Sequence, residues 1–110
     1  MFPYVQRTTP QIGPDELEER MRDGTVRVLD VRDDWEYARG HVPGAEHLPL
    51  YHLQRRAAEL ERDVPYAVIC ESGGRSLDAT DYLLRIGFSD VVSVRGGTFG
   101  WARTGRPLER

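Results

Sequence analysis

The sequence predicts a small α/β domain whose mainly parallel central sheet has helices on both faces. Three observations predict it. Short apolar runs at 26–31, 66–69 and 91–94 alternate with segments whose apolar residues recur at helical spacing. Those runs are rich in Val and Ile with little polar alternation, which suits strands buried on both sides. Strand and helix patterns follow one another in turn, as they do in parallel sheets covered by crossover helices.

Each element has its own signal. Met1 to Ile12 is expected to hold a short extended piece around Tyr4 and Val5. Gly13-Pro14-Asp15 opens a helix, with proline where a missing N–H costs nothing, and the pattern runs to Arg22 and stops at Gly24. Val26 to Val31 is the first strong strand, with Val28, Leu29 and Val31 suited to burial. Residues 33–39 form a short helix, 40–44 a turn rich in Gly and Pro, and Ala45 to Leu48 a brief strand. Tyr51 to Arg62 is helical, because Leu53, Ala57 and Leu60 fall on one face. Tyr66 to Ile69 is the central strand, and a helix follows from Ser76 to Ile86 with Ala79, Tyr82, Leu83 and Ile86 inward and Gly87 as its stop. Val91 to Val94 is the last strand, and Thr98 to Arg103 a short final helix. No repeat, linker or low-complexity stretch divides the 110 residues, so one domain over 1–110 is expected.

Composition excludes several function classes. With a net charge of −3 and basic residues scattered among acids, the chain offers no electrostatic footprint for nucleic acid. All 15 basic residues are arginine, so no lysine can form a Schiff base or serve a P-loop. The longest apolar stretches, about five residues, fall far short of the ~20 that span a bilayer, and no basic segment leads into a hydrophobic one at the amino terminus. A soluble, unexported, cytoplasmic chain without membrane contact is expected. The single cysteine forms no internal disulfide, which suits a reducing compartment. His41, His47 and His52 lie six and five residues apart, which fits no compact ligand motif, so neither a metal nor an organic cofactor is called for.

Cys70 closes the central strand, and Glu71-Ser72-Gly73-Gly74 lead from it into Arg75-Ser76 and the helical pattern. A strand that stops at a cysteine and turns into a helix can aim backbone N–H groups and the positive end of the helix dipole at one sulfur. A free thiol titrates near ~8.5, whereas thiols at helix N-termini or beside arginine fall to roughly 3.5–7.5. At ~1.36 kcal/mol per pH unit, and roughly 1.5–3 kcal/mol per hydrogen bond to a charged group, one or two aimed amides suffice. The expectation is a reactive thiolate that solutes can reach. Gly73 and Gly74 open backbone angles closed to other residues. Arg75, after four intervening residues, sets a fixed positive charge beside an anionic donor or pairs at the surface with Asp78. Ser76 reads as the helix N-cap.

This layout resembles the active-site loop of the rhodanese family, the sulfurtransferases that carry a sulfane sulfur on one cysteine. Two further stretches are similar to the family's motifs. Val28-Leu29-Asp30-Val31-Arg32-Asp33-Asp34-Trp35-Glu36-Tyr37 with Gly40-His41-Val42-Pro43-Gly44-Ala45 matches the upstream one. Val94-Arg95-Gly96-Gly97 with Trp101 and Gly105-Arg106-Pro107 matches the closing one. The three lie in the family's order and cover residues 14 to 108.

The resemblance implies a small rhodanese-like domain that moves a sulfane sulfur from thiosulfate or a persulfide to a thiol or cyanide through a Cys70 persulfide. The N–H groups of Glu71, Ser72, Gly73, Gly74, Arg75 and Ser76 would hold the thiolate and the added sulfur. It further implies that His41 belongs to a structural turn, that Asp30 and Arg32 tie the strand end to the loops, and that Trp35 and Trp101 pack in the core or at its rim. Glu71 departs from the family, in which Arg, a neutral residue or an aromatic commonly follows the cysteine. A carboxylate there repels a dianionic donor and raises the thiol pKa. Two charges ~4 Å apart at an effective dielectric of ~20 interact by about 4 kcal/mol, though an outward-facing Glu71 feels a small fraction of that. A protein persulfide gains ground over thiosulfate as the donor, and the chain itself is expected to be a monomer or weak dimer.

Two other classes share these features. A non-catalytic module of the same fold would bind a partner or sense oxidants, with an unreactive Cys70 or chemistry ending at sulfenic acid. A cysteine phosphatase or arsenate reductase would close the loop around a larger oxyanion, but cysteine phosphatases use one residue more between cysteine and arginine.

Overall fold

The computed structural model describes residues 8–110. The piece expected around Tyr4 and Val5 lies outside them. Five strands, β1 (Gln11–Ile12), β2 (Arg27–Asp30), β3 (Glu46–His47), β4 (Tyr66–Ile69) and β5 (Val91–Val94), form one sheet in the order β1-β5-β4-β2-β3. Every pairing is parallel, with Leu29 beside Val68 and Val68 beside Ser93. The α-helices are α1 (Pro14–Arg22), α2 (Asp34–Arg39), α3 (Leu50–Arg56) and α4 (Gly74–Arg85) between strands, and α5 (Gly97–Arg103) after β5. None of these is long and apolar enough to cross a membrane.

The sheet is buried on both faces, which its continuous apolar runs require. All four residues of β4 are buried, and the two-residue period of a strand sorts them. Tyr66, Val68 and Cys70 pack with Leu53 of α3 and with Ala79 and Leu83 of α4. Ala67 and Ile69 pack on the other side with Leu17 of α1 and Trp101 of α5. At roughly 1.5–3 kcal/mol for each large apolar side chain withdrawn from water, these two clusters supply the main drive to fold.

Several details differ from the sequence reading. The helix expected over 51–62 ends at Arg56 and tightens into a 3₁₀ turn at Ala57–Glu59, so Leu53 and Ala57 are buried while Leu60 is only partly so. The chain must turn there to enter β4, and a short tight turn closes the helix. The first strand signal begins at Arg27 rather than Val26. In α4, Ala79 and Leu83 face the core, whereas Tyr82 and Ile86 are half-buried at its edge.

Candidate active site

Loops from the carboxyl ends of β2, β4 and β5 converge at one edge of the sheet, where parallel α/β sheets place their ligands. Cys70 directly follows β4. Its sulfur accepts the N–H of Gly73 at 3.1 Å and of Ser76 at 3.3 Å, and lies 3.5 Å from the Ser76 hydroxyl. That hydroxyl donates to the Gly73 carbonyl at 3.1 Å and meets Ser93 Oγ at 2.8 Å. Two main-chain donors directed at one sulfur form a nest for an anion.

Helix α4 begins at Gly74, two residues before the expected start, and its N-cap is Gly73 with φ +116°. Ser76 is therefore not the cap. It sits inside the first turn, and its amide, one of the helical N–H groups without an acceptor in the helix, is spent on the sulfur. Only glycine occupies the Gly73 backbone angle freely, so the loop's turn toward Cys70 depends on that residue.

The structure corrects one expectation outright. Cys70 is only 1% exposed, where the sequence reading calls for a sulfur that solutes reach. Strand phase is the cause: Cys70 continues the inward series of Tyr66 and Val68. The start of α5 then clamps its other side, with Thr98 N–H on the Cys70 carbonyl at 2.8 Å and Phe99 N–H on the Glu71 carbonyl at 3.0 Å. Gly97 permits this approach, since a Cβ there would lie 2.5 Å from both carbonyl oxygens. Above the sulfur, Glu71, Ser72 and Gly74 are exposed and Gly73 and Arg75 half-buried. The sulfur is the floor of a loop whose rim faces water.

The charges around the loop are paired. Arg75 forks onto Glu36 of α2 at 2.7 and 2.8 Å, and the other partner weighed for it, Asp78, is not the one it grips. The Arg75 bonds hold the Glu36 carboxyl down at about 2, against the opposing effect of burial, and Glu36 in turn raises the Arg75 pKa. Arg32 is buried and ties the end of β2 to two loops. Its guanidinium grips the Asp30 carboxylate at 2.8–3.1 Å, the Gly40 carbonyl at 2.9 Å and Glu71 at 3.2 Å. Burial works against the Arg32 charge, yet the Asp30 bonds raise its pKa. Glu71, half of it in solvent, turns toward Arg32 at 3.2 Å and shares that cation with Asp30, which offsets part of the repulsion expected from it.

Asp30 and Arg32 tie the end of β2 to the Cys70 loop. His41 is buried, bonds through Nδ1 to the Tyr37 carbonyl at 2.8 Å, and stacks on the Tyr37 ring at 3.7 Å. Trp101 is buried with its indole N–H on the Pro107 carbonyl at 2.7 Å, whereas Trp35, also expected to pack, is exposed to solvent on the surface of α2. Sequence reasoning misses Glu36 as the partner of Arg75, although Glu36 lies within the upstream motif. It also misses Ser93 as the partner of Ser76. Each pair joins residues far apart in the chain, 39 positions in the first case, which no local spacing reveals.

A family model of the rhodanese-like domain matches residues 13–104. A sulfurtransferase of Allochromatium vinosum is 35% identical over 99 residues, covering 89% of this chain and 92% of that protein. The thiosulfate sulfurtransferase GlpE of Pseudomonas putida is 40% identical over 95 residues, covering 86% of each. Among solved structures, a rhodanese-related protein from Thermoplasma volcanium superposes with a TM-score of 0.85 at 34% identity, over 91% of this chain and 97% of that one.

Proposed function

The chain belongs to the rhodanese-like domain family, and from that premise we propose that it transfers a sulfane sulfur through a persulfide on Cys70. The observation that carries this reading is the pair of main-chain N–H groups, from Gly73 and Ser76, directed at the cysteine sulfur. The thiolate attacks the outer sulfur of the donor. The donor's S–S bond breaks, sulfite leaves if the donor is thiosulfate and a thiolate leaves if it is a persulfide, and Cys70 keeps the extra sulfur. A thiol or cyanide then attacks that terminal sulfur and carries it away as a persulfide or thiocyanate, which restores the thiolate. Oxidation states balance across the two half-reactions, so neither metal nor cofactor is required, and the kinetics are ping-pong.

In this reading the N–H groups of Glu71, Ser72, Gly74 and Arg75 receive the terminal sulfur, and those of Gly73 and Ser76 keep the inner one. The exposed rim of the loop yields to admit the donor, since the sulfur beneath it is buried. Arg75 and Arg32 position the loop through Glu36 and Glu71 rather than meeting the donor as free cations. A reducing cytoplasm suits a thiol that must stay unoxidised between turnovers.

The burial of Cys70 favours a second reading, a non-catalytic module of the same fold that binds a partner. One experiment separates the two. Turnover is measured from thiosulfate, and separately from a persulfide-loaded desulfurase, to cyanide or dithiothreitol. Transfer by the wild type that vanishes in Cys70→Ser supports the enzyme. A wild type as inert as Cys70→Ser with both donors supports the module.

A further inference from the structure

Among the described residues four large hydrophobic side chains are exposed, and three of them, Trp35 (61%), Phe99 (55%) and Leu108 (40%), border a single cleft of about 340 Å³. The cleft is shared with the Cys70 loop. Glu71 and Arg32 form part of its wall, so whatever fills it lies against the rim that covers the sulfur.

Its charge is as telling as its apolar content. Of the carboxylates in the wall, Glu36 is matched by Arg75, and Glu71 shares Arg32 with the buried Asp30. Arg39 instead lies 5.8 Å above the Trp35 ring and Arg103 lies 6.0 Å from the Phe99 ring, and neither forms an ion pair among the described residues. A chain of net charge −3 thus sets two cations that are unpaired among the described residues beside three of the four exposed large hydrophobic side chains described. Tryptophan and arginine are enriched at interface hot spots, where a partner completes the exclusion of water.

We propose that this cleft docks an acidic protein partner that inserts one apolar side chain between Trp35 and Phe99 and presents a persulfide-bearing cysteine to the Cys70 loop. The inference rests on the sulfur-transfer reading above. In the transfer the partner's sulfur–sulfur bond breaks, its inner sulfur leaves as a thiolate, and a bond forms between the outer sulfur and Cys70 Sγ. No other reactant enters. The cations steer and orient the partner, while the apolar insertion sets how long it stays.

Three probes test this: a cysteine-persulfide peptide flanked by Asp, Glu and Leu, the same peptide with Lys for the acids, and the persulfide of 2-mercaptoethanol. The rate at which the protein gains one sulfur atom is followed by mass spectrometry. The acidic peptide loads about tenfold faster than the basic one at low salt, and the gap narrows as salt rises. Arg39→Glu with Arg103→Glu removes or inverts that preference, and Phe99→Ala slows the acidic peptide, while the small persulfide loads every variant equally well. Equal rates for the two peptides in the wild type would overturn the docking surface, as would variants that slow the small persulfide as much as the acidic peptide. If no probe loads the wild type, the transfer reading falls with it, and loading by the small persulfide without peptide discrimination removes the docking surface alone.

Discussion

Gly97→Ala probes the joint that holds the Cys70 loop in place. Gly97 has φ +59°, and a Cβ there would sit 2.5 Å from the carbonyl oxygens of Cys70 and Glu71 and 2.6 Å from the Glu71 carbonyl carbon. All three are main-chain atoms, and both oxygens are held by amides of α5 at 2.8 and 3.0 Å, so nothing flexible gives way. The left-handed conformation costs an alanine about 1–2 kcal/mol. Forcing main chain aside adds about 1–3 kcal/mol, the range for overpacking. The total is about 2–5 kcal/mol, a fall in Tm of about 8–20 °C at roughly 4 °C per kcal/mol for a chain of this size. Gly24→Ala is the control: its φ is +68° with no atom within 4 Å of the new Cβ, so only the conformational cost applies. Thermal melts of both variants isolate the contact cost, and sulfur loading of Gly97→Ala should slow as the two carbonyls shift. A Gly97→Ala protein that melts with the Gly24→Ala control and loads at the wild-type rate would refute the reasoning.

Other substitutions test the charges and the core. Glu36 has its carboxyl held at about 2 rather than 4.5, chiefly by Arg75, so its contribution to stability is present above about 4.5 and lost as pH falls toward 2. At ~1.36 kcal/mol per pH unit the limit is about 3 kcal/mol, and solvent around the half-buried Arg75 reduces it to about 1–2 kcal/mol. Glu36→Gln should lose that much at pH 7 and flatten the acid limb of a denaturant titration; an unchanged acid limb contradicts the pairing. Arg32→Ala leaves the fully buried Asp30 carboxylate without its partner and should cost about 3–5 kcal/mol in urea unfolding, and a loss below 1 kcal/mol on the same ~3–5 scale would show that Asp30 finds another donor. Thr80 carries a buried hydroxyl with no hydrogen-bond partner among the described residues, so Thr80→Val should raise stability by about 1 kcal/mol. A fall in Tm would mean that the hydroxyl has a partner after all.

What the sequence reveals of this molecule follows from the range of each signal. The apolar run of β4, the glycine after α1 and the Pro14 start are local, and each element appears where its own residues place it. The turn from Cys70 into α4 is legible for the same reason, since strand end, glycines and helix are contiguous. Its start is displaced by two residues because Gly73, freed to φ +116°, caps the helix earlier than a serine side chain would. Contacts that join distant segments are not legible. Arg75 grips Glu36 across 39 residues, and Arg32 reaches Glu71 across the same span, so the electrostatics of Glu71 and Arg75 taken alone overstate both charges. The burial of Cys70 is a packing outcome, set by strand phase and by the α5 clamp at Gly97; the alternation Tyr66, Val68, Cys70 and the Gly96-Gly97 pair are its traces in the sequence.

The account turns on whether this sulfur takes up and gives back one atom. Peptide mapping by mass spectrometry after incubation with a persulfide donor decides it. The prediction is a gain of about 32 Da on the peptide containing Cys70, removed by cyanide or reductant. An unmodified peptide, or one that gains only oxygen at about 16 Da, would contradict the account.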